Sequence, residues 1–264
     1  MNIFLREIKA NFRSLLIWGG IVILFVVVGF SKFSAFAGDP QMLAILDGMP
    51  PAMLSALNMN AFNLTTVTGF YGIMFTYFAV LLTVCAVMWG SDIIVKEERD
   101  KTVEFALTLP IRRSQLITGK AAAAVVNSIL LLLITWAAIV VGSATYQPDS
   151  QFYGFVALSM LALLILQLIF LAVGILLGSA MKRYKQAGSA AVFVLLSTFF
   201  FSVVIDLNGK LGSLKYLTPF KYFDPAKILH EAKLEWLPIG LSIAIVVVCM
   251  VGAYVAFSKR DLYI

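Results

Sequence analysis

Six long apolar runs, separated by short polar stretches, dominate the pattern along this chain. They cover about residues 15–36, 70–94, 121–144, 155–181, 187–205 and 237–257. A helix needs roughly 20 apolar residues to cross about 30 Å of hydrocarbon, so each run predicts a membrane-spanning helix. The polar stretches carry their own periodicity. Residues 1–14 place Phe4, Ile8 and Phe12 at i, i+4, i+8 with Leu5 and Leu15 beside them, against Arg6, Lys9 and Arg13. That pattern predicts an amphipathic helix lying in the headgroup plane. Between runs two and three, Val103, Ala106 and Leu107 recur at helical spacing, with Glu97, Asp100, Lys101 and Glu104 on another side. Pro110 ends that helix, and Ile111-Arg112-Arg113-Ser114 begins a new element. The last sizeable polar segment, 206–236, is cut into short pieces by Gly209, Gly212, Pro219 and Pro225, while Tyr216, Phe220, Tyr222 and Phe223 let it dip into the interface. Gly174-xxx-Gly178 in run four suits close helix packing.

Composition agrees with the pattern. The 264 residues are 61% hydrophobic and 13% charged, where a soluble domain carries about 25% charged residues. The expectation is therefore an all-α integral membrane protein with a single transmembrane domain over 1–264, no soluble domain and no short-period repeat. Cys85 and Cys249 both lie in apolar runs, which suits free buried thiols better than a disulfide. Ala35-Phe36-Ala37 resembles a signal-peptidase site, but the apolar run before it exceeds the usual length of about 7–15 residues and favours an uncleaved span. Met42, Met49, Met53 and Met59 could offer thioethers to Cu(I); gap-filling at an interface is the simpler role.

The net charge of +6 then reads as a topology signal rather than a nucleic-acid footprint. Six spans put both termini on one side, and fourteen of the twenty Lys and Arg residues fall on that side. The positive-inside rule places the termini and the Lys96–Lys120 loop in the cytoplasm. The expected location is the cell membrane, with lipids as neighbours.

Several chemistries are missing from the sequence. No ionisable residue occupies the middle of a span, as an ion-coupled carrier would need. The single histidine, His230, lies in the outer segment, so neither a catalytic dyad nor a metal set suggests itself. Asn127 and Gln167 are polar within spans; they are candidates for lining a path, with interhelical hydrogen bonding as the plainer role. Ser114–Ala121 contains Gly-Lys but lacks the first glycine and the final Ser/Thr of a phosphate-binding loop. Any energy source must then sit on another polypeptide, and the charged loop is the handle that could receive it. The rival is a non-transporting anchor or assembly factor, in which the handle only recruits a cytoplasmic protein.

The run Lys96-Glu97-Glu98-Arg99-Asp100-Lys101-Thr102-Val103-Glu104-Phe105, followed by Leu107-Thr108-Leu109-Pro110-Ile111-Arg112-Arg113 and Gly119-Lys120, resembles the first cytoplasmic loop of ABC-2 type transporter permeases. Lys101 stands where that family most often has Gly. Tyr222-Phe223-Asp224-Pro225 and Phe257-x-Lys259-Arg260-Asp261-Leu262 are similar to the family as well, and the resemblance covers essentially the whole chain. It implies a six-span permease without catalytic activity of its own. The partner would be a cytoplasmic ATP-binding cassette subunit carrying the ATP and Mg; a second permease copy or a related permease would complete the transporter. It further implies a coupling helix between spans two and three, an interfacial N-terminal helix, and outer re-entrant short helices between spans five and six. Candidate docking residues are Glu97, Glu98, Thr102, Glu104, Arg112 and Arg113. Export of a hydrophobic or amphipathic compound (a drug, lipid or peptide) is the implied function, and the smooth, uncharged spans suit such cargo better than ions.

Overall fold

A computed structural model describes residues 3–37, 48, 50, 54, 62–101, 112–181, 183–207 and 209–259. Among these the fold is all-helical, without strands, and six helices are long and apolar enough to cross a membrane. They are α1 (Ile3–Phe36), α2 (Val67–Arg99), α3 (Arg113–Ser143), α4 (Ser150–Ala180), α5 (Tyr184–Leu207) and, after a short α6 (Pro225–Glu231), α7 (Trp236–Ser258). The six apolar runs all appear, and the first three are extended by a turn or more of polar residues. The protein is a multi-pass membrane protein.

Burial sorts the helices. α2 and α4 are the most enclosed spans, and α1, α5 and α7 the least. α2 packs chiefly on α4, α1 on α3, α7 on α4, and α5 on α2. The α2–α4 seam owes its closeness to glycine. A Cβ at Gly90 would lie 2.4 Å from the Leu171 carbonyl oxygen; at Gly174, 2.4 Å from that of Val87; at Gly178, 2.8 Å from that of Ser91. The Gly174-xxx-Gly178 pair read from the sequence therefore lets two backbones touch, as small residues do in membranes. The outer helices show large apolar side chains outward, among them Ile17 and Leu24 on α1, Phe193 and Phe200 on α5, and Val248 on α7. Apolar surface of this kind is at home in hydrocarbon.

Two expectations change. α1 is one unbroken helix of 34 residues, so residues 3–14 do not form a separate interfacial element. Neither Gly nor Pro interrupts the chain near Ser14. At 1.5 Å per residue the helix is about 50 Å long, some 20 Å more than the hydrocarbon core, so its basic N-terminal turns continue the span beyond it. The face also differs: Phe12 is 53% exposed, whereas Glu7 is buried. Glu97 and Glu98 likewise belong to the last turn of α2, which runs on to Arg99, rather than opening a new helix at Lys96. Thr102, Glu104 and Pro110, the 102–111 stretch of the expected coupling helix, and the four methionines Met42, Met49, Met53 and Met59 lie outside the described residues.

Between α5 and α7 the chain is short and broken, as its glycines and prolines require. Residues Gly209–Leu217 and Pro219–Lys221 are 3-10 turns. Asp224 then caps α6 by accepting from the Ala226 N–H at 2.9 Å, with Pro225 in the first helical position. Tyr222 and Phe223 are buried just before it. The Tyr-Phe-Asp-Pro motif thus joins two anchoring rings to a helix start.

Candidate functional site

The ends of α1, α2 and α3 meet at the basic end of the bundle, around the points where the chain leaves α2 and re-enters at α3. α2 stops at Asp100, whose N–H still reaches the Lys96 carbonyl at 2.8 Å. Lys101 follows at φ 55°, in the left-handed region that favours glycine. That backbone explains why a Gly suits this position. α3 begins at Arg113, after the Arg112 N–H donates to Gln115 Oε1 at 3.0 Å. The restart expected after Pro110 is therefore present.

Five charged side chains interlock here. Lys120, on the second turn of α3, is only 1% exposed. Its ammonium donates to the Ile93 carbonyl at 2.6 Å and to a Glu97 carboxylate oxygen. Arg6 donates to Glu97 Oε1 at 3.1 Å and to Glu7 Oε1 at 3.0 Å, and Lys96 lies 3.4 Å from Glu7 Oε2. Charges buried so deeply survive only when paired and hydrogen-bonded. Here three cations share two carboxylates, from three helices.

Among the docking candidates, Glu97 points inward: its side chain is 12% exposed and engaged by Lys120 and Arg6. Glu98 is half-buried beside it, and Arg112 is exposed. Arg113 donates to the carbonyls of Phe257 at 3.4 Å and Ser258 at 3.2 Å, at the C-terminal end of α7 where helix carbonyls lack partners. Thr118 and Tyr254 join the same two helices through their hydroxyls at 2.7 Å. Sequence reasoning missed Lys120 and Glu7. The signal available was a lone acid in a basic stretch and a lysine directly before an apolar run.

Asn127 and Gln167 are 1% and 0% exposed and sit close to the middle of α3 and α4. The interhelical hydrogen bonds expected of them are not formed among the described residues; both amides are enclosed without a partner. Two cavities lie elsewhere. One of about 370 Å³ opens between α2, α5 and the 206–235 segment, with Phe75, Phe199, Phe220 and Tyr222 on its walls and the Lys221–Asp206 and Lys227–Glu235 pairs at its rim. The other, about 770 Å³, is a cleft over α2 between α1 and α5, floored by Trp18, Trp89 and Met88 and edged by Asp92, Arg99 and Lys185. Trp89, which reads in the sequence as an interfacial ring, is buried and donates from Nε1 to Ser14 Oγ at 2.8 Å. Within α2–α4, the Tyr71 hydroxyl pairs with Ser159. Cys85 and Cys249 are buried free thiols. Among the described residues, no group of three or more His, Cys, Asp or Glu could hold a metal.

Comparison with curated proteins gives no match. A family model described as ABC-2 family transporter protein matches residues 1–262.

Proposed function

The chain belongs to the ABC-2 transporter family, and from that premise we propose that it is the permease subunit through which such a transporter exports a hydrophobic or amphipathic compound. The observation that carries this reading is the family match across nearly the whole of a six-helix membrane chain. ATP would be hydrolysed by a separate cytoplasmic subunit, because the chain holds no phosphate-binding loop. That subunit docks on the 97–113 segment, with Glu98, Thr102, Glu104 and Arg112 as its contacts and Glu97 and Arg113 holding the segment's two ends. A second permease copy, or a related one, closes the path. Both termini and the docking segment lie in the cytoplasm of a cell-membrane protein, which the excess of Lys and Arg at that end supports.

Two features of the interior favour apolar cargo. The spans are lined by aliphatic and aromatic groups, and their unpartnered polar groups near the midplane are the neutral amides Asn127 and Gln167. They place no charge near the middle of these spans. The aromatic-walled cavity beside residues 206–235 has the size of a small-molecule site, roughly 300–1,000 Å³, and is where we place cargo at the outer side. Co-purification of the tagged chain identifies the ATP-binding subunit, and flux of candidate compounds into proteoliposomes containing both tests transport. A partner without ATPase activity, or ATP hydrolysis unaffected by the permease, would leave the anchor reading in its place. Cysteine labelling at Gly212 from the cytoplasmic side would overturn the orientation.

A further inference from the structure

We propose that Lys120 and Glu97 form a clamp that carries ATPase motion from the docking segment into α3, and that Arg6, Glu7 and Lys96 carry it on into α1. The proposal rests on the function given above and deepens it: these residues position and transmit, and they do not contact the ATPase.

The geometry has three parts. First, the clamp sits at the base of the docking segment. Glu97 lies three residues before the end of α2 at Asp100, and Lys120 two turns after the start of α3. Force arriving between Lys101 and Arg112 therefore meets a closed ring rather than two independent helix ends. Second, the ring is stiff. Lys120 is enclosed, and its ammonium is fixed by both the Ile93 carbonyl and the Glu97 carboxylate. Pulling it free would leave a buried ammonium and a buried carbonyl without partners, which a low-dielectric site penalises heavily. Third, the ring extends sideways to one further helix. α1 reaches α2 here through Arg6 to Glu97 and Lys96 to Glu7. α1 otherwise packs mainly on α3, so these charges hold α1 to α2 while packing holds it to α3, the two helices that flank the docking segment.

This arrangement makes α1, α2 and α3 move as a unit at the basic end. α5 packs instead on α2 and α4. Packed elements with two discrete arrangements transmit displacement as rigid bodies, and a fixed charge network at their base keeps slack from absorbing it. Glu97 thereby acquires a role different from surface docking: its carboxylate touches both α3 and α1.

The test uses the full chain with its co-purified ATP-binding subunit in lipid nanodiscs. Spin labels replace exposed residues at the far end of α1 (Ser34) and in the 3-10 turn just beyond α3 (Thr145), each paired with a label at Trp236. Distances are measured without nucleotide and with ATP and vanadate. In the parent complex both distances shift on nucleotide binding. Lys120→Met leaves Glu97 paired with Arg6, and it abolishes the Thr145 shift while the ATPase still binds within two-fold of its parent affinity. Converting Arg6, Glu7 and Lys96 together to Gln leaves no carboxylate stranded and keeps the Lys120–Glu97 pair. It abolishes the Ser34 shift and spares the Thr145 shift. This selectivity is a readout that general destabilisation would not give, and the triple variant decides the matter if Lys120→Met does not fold. Persistence of both shifts in both variants overturns the clamp. So does a ten-fold loss of ATPase affinity in Glu97→Gln, which would make Glu97 a contact of the ATPase. Failure of the parent chain to bind any ATPase is a different result, because it removes the function on which the clamp depends.

Discussion

Placing a methyl group at Gly174 should pry α2 from α4. A Cβ there would sit 2.4 Å from the Val87 carbonyl oxygen and 2.9 Å from the Ser91 nitrogen, both backbone atoms that cannot turn aside. Ordinary carbon–oxygen contact lies near 3.4 Å, so the helices must separate by about 1 Å. A gap of that size forfeits a quarter to a half of each dispersion contact along the seam. Overpacking of a tight site costs about 1–3 kcal/mol, and Gly174→Ala should fall near 2 kcal/mol. For a chain of this length that corresponds to a fall of roughly 4–8 °C in Tm. Gly90→Ala should cost a similar amount, because its Cβ would meet the Leu171 carbonyl oxygen at 2.4 Å. The double variant should cost clearly less than the two single costs combined, since the first substitution has already opened the gap the second needs. Gly154, on the same helix α4, has nothing within 4 Å of its would-be Cβ. Gly154→Ala should therefore be neutral, or stabilising by about 0.5–1 kcal/mol through helix propensity. Thermal unfolding of the purified protein in one detergent, followed by tryptophan fluorescence, measures all four. If Gly174→Ala and Gly90→Ala both stay within 0.5 kcal/mol of the parent, the close backbone contact is not what holds α2 to α4.

Four further outcomes follow from single sites. Lys101→Gly should stabilise the α2 terminus by about 1 kcal/mol, because φ 55° strains any residue with a Cβ; the same thermal assay reads it. Asn127→Leu and Gln167→Leu should each raise stability by about 1–2 kcal/mol, as an enclosed amide without a partner is replaced by an apolar group of similar size; a fall in Tm would mean that the amides are satisfied. Tyr71→Phe should cost about 1 kcal/mol by removing the hydroxyl that meets Ser159 inside the α2–α4 seam. The Lys227–Glu235 pair, 2.8 Å apart, holds the Glu235 carboxyl below its usual range and the Lys227 ammonium above its own. A depressed carboxyl stabilises above its unfolded pKa, near 4.5, and loses that contribution as pH falls below it; a raised ammonium stabilises below about 10.5 and loses it as pH rises further. Protection of the α6–α7 connection against proteolysis should therefore hold between those limits and weaken outside them. The effect should be small and salt-sensitive, since both groups are exposed.

Six spans and their order were legible in the sequence because each buries its backbone alone: an apolar run of the right length needs no knowledge of its neighbours to be a helix in lipid. The glycine pair on α4 was legible for a related reason, since small residues one turn apart mark a surface where something comes close, although Gly90 as the facing residue was not. The restart at Arg113 followed from backbone chemistry in the same local way. What the sequence left open was every fact that depends on which polar side chains meet. Glu7 drew no reading at all, Trp89 read as an interfacial ring, Glu97 as a docking contact and Lys120 as one more positive charge. Each has its partner on another helix: Lys96 for Glu7, Ser14 for Trp89, and Lys120 together with Arg6 for Glu97. The reading of residues 1–14 as a separate helix failed for the same reason. Amphipathic spacing cannot tell lipid headgroups from the charged ends of neighbouring helices as the thing a polar face is turned toward. A charge such as Lys120, directly before an apolar run and enclosed among helices, is costly unless a partner awaits it, and its position asks where a carboxylate stands one helix away. Glu97, near the end of the preceding helix, is the acid that a short connection returns to the same depth.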